Sequence, residues 1–207
     1  MNARPLFVTD CDEVLLHMVR HFSSWLEEDQ DVLFRPEDGD MGTALKYKAS
    51  GAVVPKVEVW SYLGRFFEGE MHRQTLVPGA LEALGRIGET ADIVILTNLP
   101  HAAHPWRVDQ LAKLDIHHEI VCNTGGKGEP LKRLVDRHGA GRSVFVDDLA
   151  QHHRSVAQHS PDTHRLHMIA EPTLAAVTAP AEHAHARIDD WADATPWILE
   201  RLEGRTS

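Results

Sequence analysis

Short apolar runs alternate along the chain with segments in which apolar residues recur every three or four positions. The runs are rich in valine, isoleucine and leucine and are bounded by polar residues, which is typical of β-strands. They predict strands over residues 6–9, 92–98, 119–122, 143–146 and 165–169. The helical spacing predicts helices near residues 15–26, 55–67, 81–87, 106–114, 130–138 and 191–202. Residues 35–54 are poorly patterned and are expected to form a loop or short helices.

Strands that alternate with helices indicate an α/β domain with a parallel sheet. A compact apolar strand also suits a sheet that is covered on both faces. Right-handed crossovers then bring the carboxyl ends of all the strands to one edge of the sheet. Ligands of open α/β sheets bind at that edge, so we expect the functional site there.

Composition and charge narrow the classes of function. The 207 residues, of which 43% are hydrophobic and 25% charged, fit one globular domain with room for an insertion. The formal net charge of −10 disfavours a nucleic-acid partner, since such partners need a basic surface. No apolar run reaches the roughly 20 residues that a membrane helix requires. The first six residues lack the features of a signal peptide, and a cytoplasmic location is therefore expected.

Cysteine and histidine suggest no separate chemistry. The two cysteines, Cys11 and Cys122, are too few for a disulfide framework and are expected to be buried thiols. The 15 histidines are scattered, and no pair has the spacing of a zinc motif. His17, His152 and His153 are therefore interpreted as surface residues rather than as residues of the site.

Three of the predicted strands end in polar residues that suit phosphate chemistry. A glycine-rich segment with a single lysine lies between the later two of these strands. Carboxylates from separate strand ends can together hold Mg²⁺, which prefers oxygen ligands. The residues are Asp10 and Asp12, Thr97 and Asn98, Lys127, and Asp147 and Asp148.

The spacing of Asp10 and Asp12 suits a two-step phosphoryl transfer. Residues two apart on a strand face the same side, so both carboxylates can project toward one ligand. One carboxylate can attack phosphorus and form an aspartyl-phosphate. The other can give a proton to the leaving oxygen and then take one from water. A divalent cation would offset the repulsion between the anionic groups.

These residues resemble the four motifs of the haloacid dehalogenase-like (HAD) hydrolases. Residues 7–15 are similar to the first motif, 95–98 to the second, 127–130 to the third and 144–148 to the fourth. The resemblance spans residues 6 to about 150. It implies a Rossmann-like three-layer α/β core with a parallel sheet, and a small α-helical cap inserted after the first motif. Residues 1–15 and 77–207 would form the core, and residues 16–76 the cap.

The resemblance also implies a role for each residue. Asp10 would be the nucleophile and a metal ligand, while Asp12 would be the acid and base and bind metal through its backbone carbonyl. Thr97 would bind a phosphoryl oxygen, together with Asn98. Lys127 would neutralise charge on the nucleophile and on the phosphate. Asp148, with Asp147 as a second candidate, would complete a Mg²⁺ site. Lys132 competes with Lys127 for the third motif, but it falls inside a predicted helix.

The chain departs from the family pattern at two places that bear on function. Glu13 stands where the family often has glycine, which leaves the local turn and the substrate class open. After Asp147 and Asp148, Gln151 and His152 replace an acidic residue. Val14 replaces the commoner threonine, which is an accepted variant.

The sequence favours a phosphohydrolase for a small phosphorylated metabolite, acting as a monomer or homodimer. A cap of about 60 residues would cover the site, and this argues against a macromolecular substrate. A metal-independent dehalogenase with the same nucleophile is one alternative, although Asp12 and the acidic fourth motif disfavour it. The other is a non-catalytic binding or regulatory protein, because a fold does not determine a function.

Overall fold

The computed structural model describes residues 3–35 and 43–204. Its strands are short, and most of its helices have 9 to 13 residues. In chain order the elements are β1 Leu6–Thr9, β2 Leu16–His17, α1 Val19–Asp29, β3 Val32–Phe34, β4 Leu45–Tyr47, α2 Lys56–Arg65, β5 Thr75–Leu76, α3 Ala80–Thr90, β6 Asp92–Thr97, α4 His104–Ala112, β7 Glu119–Cys122, α5 Gly128–His138, β8 Ser143–Asp147, α6 Ala150–His159, β9 His164–His167, α7 Pro172–Val177, β10 Ala186–Arg187 and α8 Trp191–Glu203. Short π- and 3₁₀-helical turns occupy Phe66–Glu70, Met71–Arg73 and His101–Ala103.

The centre of the molecule is a six-stranded sheet with the order β10-β9-β8-β1-β6-β7. Every adjacent pair of these strands is parallel. In β1, Val8 lies between Val94 of β6 and Phe145 of β8. The predicted α/β class with a parallel sheet is confirmed, and the five strands expected from the apolar runs correspond to five of the six.

Helices cover both faces of this sheet, because neighbouring side chains on each strand point to opposite sides. Phe7 of β1 packs in the apolar cluster that includes residues of α3 and α8. Leu6 and Val8 pack in a second cluster, with residues of α5 and α6. Trp191 anchors α8, since its ring contacts Phe7 edge to face and its Nε1 donates to the carbonyl of Val14 at 2.9 Å. The core therefore has three layers.

A separate apolar cluster lies between the first two core strands in the sequence. It joins α1, the antiparallel pair β3 and β4, α2 and the π-helical turn after it. The ring of Phe66 is fully buried at its centre, in contact with Phe22 and Trp25. This segment lies where the sequence analysis placed the cap, and we call it the cap below. Its role as a cap and the proposed boundaries at residues 16 and 77 stay predictions.

Three details of the cap prediction are wrong. Residues 35–54 contain β4 rather than only loop or short helices, although residues 36–42 lie outside the described part of the chain. Leu15 does not belong to the first helix; α1 begins at Val19, and Leu15 packs in the core. The helical spacing over residues 55–67 places Trp60 in the apolar stripe of that helix, with Val59, Leu63, Phe66 and Phe67, but Trp60 is 64% exposed. Val59 and Tyr62 are the buried residues of that helix.

Helix α6 was not expected from the sequence. It has only one large apolar residue, Val156, on its buried face, where His152 and His153 stand beside it. Its apolar pattern is too weak to identify from sequence. Among residues 3–35 and 43–204, no helix combines the length and apolarity needed to cross a membrane.

Candidate active site

The polar strand ends of the sheet come together at one edge, as the parallel arrangement requires. Asp10 directly follows β1, and its backbone N–H donates to the carbonyl of Val146 in β8 at 2.9 Å. Thr97 is the last residue of β6 on the other side of β1, and Asp147 is the last residue of β8. Three residues that lie far apart in the sequence thus surround one point.

Lys127 links two of these carboxylates. Its Nζ lies 2.8 Å from Oδ1 of Asp10 and 2.7 Å from Oδ2 of Asp147, and all three side chains are buried. Burial alone would lower the pKa of Lys127, but the two neighbouring carboxylates raise it, so the amine stays charged. Lys132 is exposed on α5 and pairs with Asp136 at 2.6 Å. Lys127 is therefore the lysine of the site.

Asp10, Asp147 and Asp148 form a group that could hold a metal ion. One oxygen from each carboxylate lies within 4.8 Å of the others. Burial raises the pKa of Asp10 to about 7, and Lys127 only partly opposes this effect. Burial, and then the charges of Asp147 and Asp10, raise the pKa of Asp148 well above its usual value. A divalent cation would relieve this excess of negative charge, and an all-oxygen donor set suits Mg²⁺.

The two aspartates of the fourth motif differ in their partners. Asp147 accepts a hydrogen bond from Lys127 at Oδ2 and one from the backbone N–H of Leu149 at Oδ1, 2.9 Å away. Lys127 lowers the pKa of Asp147 against the opposing effect of burial. Asp148 is only partly buried and lines the cavity above Asp10. This arrangement favours Asp148 as the direct metal ligand and Asp147 as the residue that orients Lys127.

The carboxylate of Asp12 is held by a buried arginine that the sequence analysis missed. Nη2 of Arg107 donates to both oxygens of Asp12, at 2.9 and 2.7 Å, and Nε2 of Gln74 donates to Oδ1 at 2.7 Å. Arg107 lies on α4 and is completely buried. Asp12 is not part of the group of three carboxylates. The metal contact through its backbone carbonyl stays a prediction. One signal in the sequence could have identified Arg107. It is a charged residue on the apolar face of a predicted helix, four positions before Leu111.

Cys11 is a completely buried thiol, and its burial argues against a role as a thiolate nucleophile. Nη1 of Arg107 lies 3.2 Å from its sulfur and lowers the pKa of the thiol, but this effect is smaller than that of burial. Burial raises the pKa of this thiol far above its usual value. A thiolate nucleophile at Cys11 is therefore incompatible with the structure. Cys122 is also buried, as expected.

Thr97 presents an unsatisfied hydroxyl to the site. Its side chain is 1% exposed, and its Oγ1 has no hydrogen-bond partner in the described structure. Buried polar groups are normally paired, so this hydroxyl is available to a ligand oxygen. Asn98 instead has local partners, since it donates to the carbonyl of Gly125 and accepts from Asn123, both at 2.9 Å. Asn98 lines the cavity and also supports the loop before Lys127.

The histidines near the fourth motif are buried, contrary to the surface interpretation. His17, His152 and His153 all have exposures of 5% or less. Burial lowers the pKa of His153 to about 4, and its Nε2 lies 2.9 Å from the carbonyl oxygen of Asp147. Burial also lowers the pKa of His152, which lines the cavity with an Nδ1 that has no partner in the described structure. His152 is thus a neutral polar group of the site.

The side-chain contacts of Glu13 show why this chain can have glutamate instead of glycine after Asp12. Its φ is +60°, in the left-handed region that glycine adopts most readily. The side chain is 1% exposed and accepts backbone hydrogen bonds from Met18 and Val19 at Oε1 and from Glu171 at Oε2. The distances are 2.7, 2.6 and 3.0 Å. Glu13 therefore compensates an unfavourable φ by joining the start of α1 to the core.

Replacing Glu13 by glycine is expected to lower the free energy of unfolding by about 2–4 kcal/mol, because three backbone donors lose their acceptor. The relief of the positive φ would recover only part of this loss. Urea denaturation measures the effect. Asp31→Gly is the matched control, since Asp31 has φ +53° and an exposed side chain. A loss no greater in Glu13→Gly than in Asp31→Gly would refute the role given to the carboxylate.

A cavity of about 440 Å³ lies above Asp10. Its polar floor comes from the strand ends and the fourth motif, and its other walls come from the cap and from residues 169–178. It is lined by Asp10, Asp12, Glu13, Met18, Val19, Phe34, Ala44, Trp60, Leu63, Phe67, Thr97, Asn98, Asp148, Leu149, Gln151, His152, Ile169, Leu174 and Thr178. The position fits a site enclosed between cap and core.

No protein-family profile and no curated sequence matches this chain. Solved structures with a similar fold are numerous. A haloacid dehalogenase-like hydrolase, SP0104 from Streptococcus pneumoniae, has a TM-score of 0.65 at 13% identity, over 95% of this chain and 99% of the other. YfnB of Bacillus subtilis, described as a HAD-hydrolase and bound to magnesium, has a TM-score of 0.60 at 13% identity, with coverages of 95% and 99%. A dehalogenase with an intermediate complex has a TM-score of 0.60 at 12% identity, with coverages of 95% and 97%.

Proposed function

We propose, from the haloacid dehalogenase-like fold of this chain, that it is a Mg²⁺-dependent phosphomonoester hydrolase with Asp10 as its nucleophile. The observation that carries the proposal is the contact of Lys127 with both Asp10 and Asp147, beside Asp148, at the floor of the cavity. Several carboxylates and one buried cation around a single point suit a reaction in which catalysis is mainly positioning and charge stabilisation.

In the first step, Asp10 attacks phosphorus. Its Oδ1 is held by Lys127 and by the backbone N–H of Cys11 at 2.7 Å, which orients the carboxylate. A bond forms between phosphorus and a carboxylate oxygen of Asp10, and the bond to the alcohol oxygen breaks. Protonated Asp12 gives its proton to that oxygen. Thr97 donates its free hydroxyl to a phosphoryl oxygen.

In the second step, water resolves the aspartyl-phosphate. Asp12, now a carboxylate, takes a proton from water as the water oxygen attacks phosphorus. The bond between phosphorus and Asp10 breaks, and inorganic phosphate leaves. Asp10, Asp148 and the backbone carbonyl of Asp12 would hold Mg²⁺, whose charge would stabilise the phosphoryl group.

The contacts of Asp12 add one requirement to this scheme. Its carboxylate accepts hydrogen bonds from Arg107 and Gln74, so before the first step it must leave Arg107, take up a proton from solvent and turn toward the leaving oxygen. Gln74 lies in the segment that returns from the cap to the core, directly before β5. Movement of the cap would therefore change the hydrogen bonding of Asp12 and couple closure to catalysis.

Removal of divalent metal tests the proposal. We expect phosphate release from p-nitrophenyl phosphate to be lost in excess EDTA and restored by Mg²⁺, because the carboxylates of the site repel an anionic substrate unaided. A parallel assay measures chloride release from 2-chloropropionate, which a dehalogenase with this fold would cleave in EDTA. Halide release without phosphatase activity would establish the alternative. Activity toward neither compound would favour a binding or regulatory protein.

A further inference from the structure

The part of the cavity lining that does not come from the strand ends and the fourth motif is mostly apolar. We define the apolar roof as Phe34, Trp60, Leu63 and Phe67 of the cap, with Met18 before α1 and Leu174 of α7. Most of the polar lining residues belong to the floor, and Asn98, Gln151 and His152 also border an adjoining cleft, as do Trp60, Leu63 and Phe67. A group attached to a phosphoryl group at Asp10 would therefore meet mainly carbon atoms in this cavity.

The cavity also lacks a cation for a second anionic group. Among the described residues, no lysine or arginine lines it. Lys127 and Arg107, which contact carboxylates of its lining, are both fully buried. Arg154 lines the adjoining cleft and Arg35 follows Phe34, but neither lines this cavity. Asp10, Asp12, Glu13 and Asp148 line it with carboxyl groups.

We infer that the substrate is a phosphomonoester of an uncharged, largely apolar alcohol. The inference rests on the proposed function and names the class of its leaving group. Apolar surface on the alcohol gains free energy when it is buried against the roof. A carboxylate or second phosphate on the alcohol would lose hydration there and meet further negative charge. Nucleotides with several phosphates and phosphorylated sugar acids are therefore expected to be poor substrates.

Trp60 supports this inference independently of charge. It is 64% exposed, and it borders both the cavity above Asp10 and the adjoining cleft. Its ring makes none of the ring contacts that join the buried aromatic residues of the cap. A large indole that the cap does not bury, in the lining of the same cavity as the nucleophile, suits stacking or packing against an apolar substrate group.

A matched pair of esters tests the inference. Pentyl phosphate and 5-(phosphonooxy)pentanoate have similar leaving oxygens and differ in one terminal carboxylate. We expect kcat/KM with Mg²⁺ to be at least about tenfold higher for pentyl phosphate, which is a difference of about 1.4 kcal/mol. Equal or higher kcat/KM for the carboxylated ester would overturn the inference.

A cation introduced into the roof should change this preference. Trp60→Lys is expected to narrow or reverse the ratio of the two kcat/KM values, because the ammonium can pair with the carboxylate. Val57→Lys is the control, since Val57 lies on the same helix, is 77% exposed and does not line the cavity. An unchanged ratio in Trp60→Lys, or the same change in both variants, would contradict the proposed contact between the apolar roof and the alcohol of the substrate.

Failure of the proposed function has a different signature. If p-nitrophenyl phosphate is hydrolysed but neither pentyl ester is, the inference about the substrate is wrong and the phosphatase assignment stands. If none of the three compounds is hydrolysed in the presence of Mg²⁺, the proposed function itself fails.

Discussion

Asp10→Asn is expected to lower kcat for p-nitrophenyl phosphate by at least about three orders of magnitude, because an amide cannot replace a carboxylate nucleophile. The folded state should persist. Asparagine has nearly the same volume, and Lys127 keeps its contact with Asp147 at 2.7 Å. Steady-state kinetics with Mg²⁺ measures the loss, and circular dichroism verifies the fold. Turnover equal to that of the wild type would remove Asp10 from the mechanism.

Asp12→Asn is the informative control for this experiment. p-Nitrophenolate leaves without a proton, so the first step should proceed in this variant, whereas water is no longer deprotonated in the second step. We expect a covalent phosphoryl adduct to accumulate on Asp12→Asn and to be absent from Asp10→Asn. Intact-protein mass spectrometry after rapid acid quenching detects it. An adduct located at any residue other than Asp10 would contradict the assignment of the nucleophile.

Arg107→Met is expected to lower the free energy of unfolding by about 3–5 kcal/mol, the usual loss when one member of a buried ion pair is removed. Arg107 is completely buried, and the Asp12 side chain is 15% exposed. Nη1 of Arg107 also donates to Oε1 of Gln110, 3.0 Å away. Methionine fills part of the volume but leaves the Asp12 carboxylate without its cation. Urea denaturation followed by circular dichroism measures the difference.

A double-mutant cycle with Asp12→Asn measures the coupling energy between Arg107 and Asp12. Removal of both charges should recover a large part of the loss, because the uncompensated carboxylate is then gone. Arg107→Lys, which keeps the charge but lacks the planar fork, should fall between the wild type and Arg107→Met. Arg133→Met is the surface control; Arg133 pairs with Glu129 on α5, is 64% exposed and should change stability little. Additive losses in the cycle would refute the coupling.

The local pattern of the chain was sufficient to predict the sheet and the floor of the site. The apolar runs of β1, β6 and β8 became central parallel strands, because a strand buried on both faces needs an apolar side chain at nearly every position. The runs of β7 and β9 are less apolar, and both also joined the parallel sheet. Parallel strands also share one carboxyl edge, and this brought Asp10, Thr97 and Asp147 to one point. The third motif was more ambiguous, and only burial separated Lys127 from Lys132.

Other parts of the site depended on partners that are distant in the sequence. Arg107 meets Asp12 across 95 residues, and Glu13 meets Glu171 across 158. Periodicity indicates which face of an element is buried but not which group lies opposite. For this reason the sequence did not reveal the role of Arg107, the buried histidines or the exposed Trp60. The sequence by itself determined the parallel sheet and the reactive groups at its edge. Only the tertiary structure decided the pKa values of those groups, their hydrogen-bond partners and their enclosure in a cavity, since these properties arise from packing between separate segments.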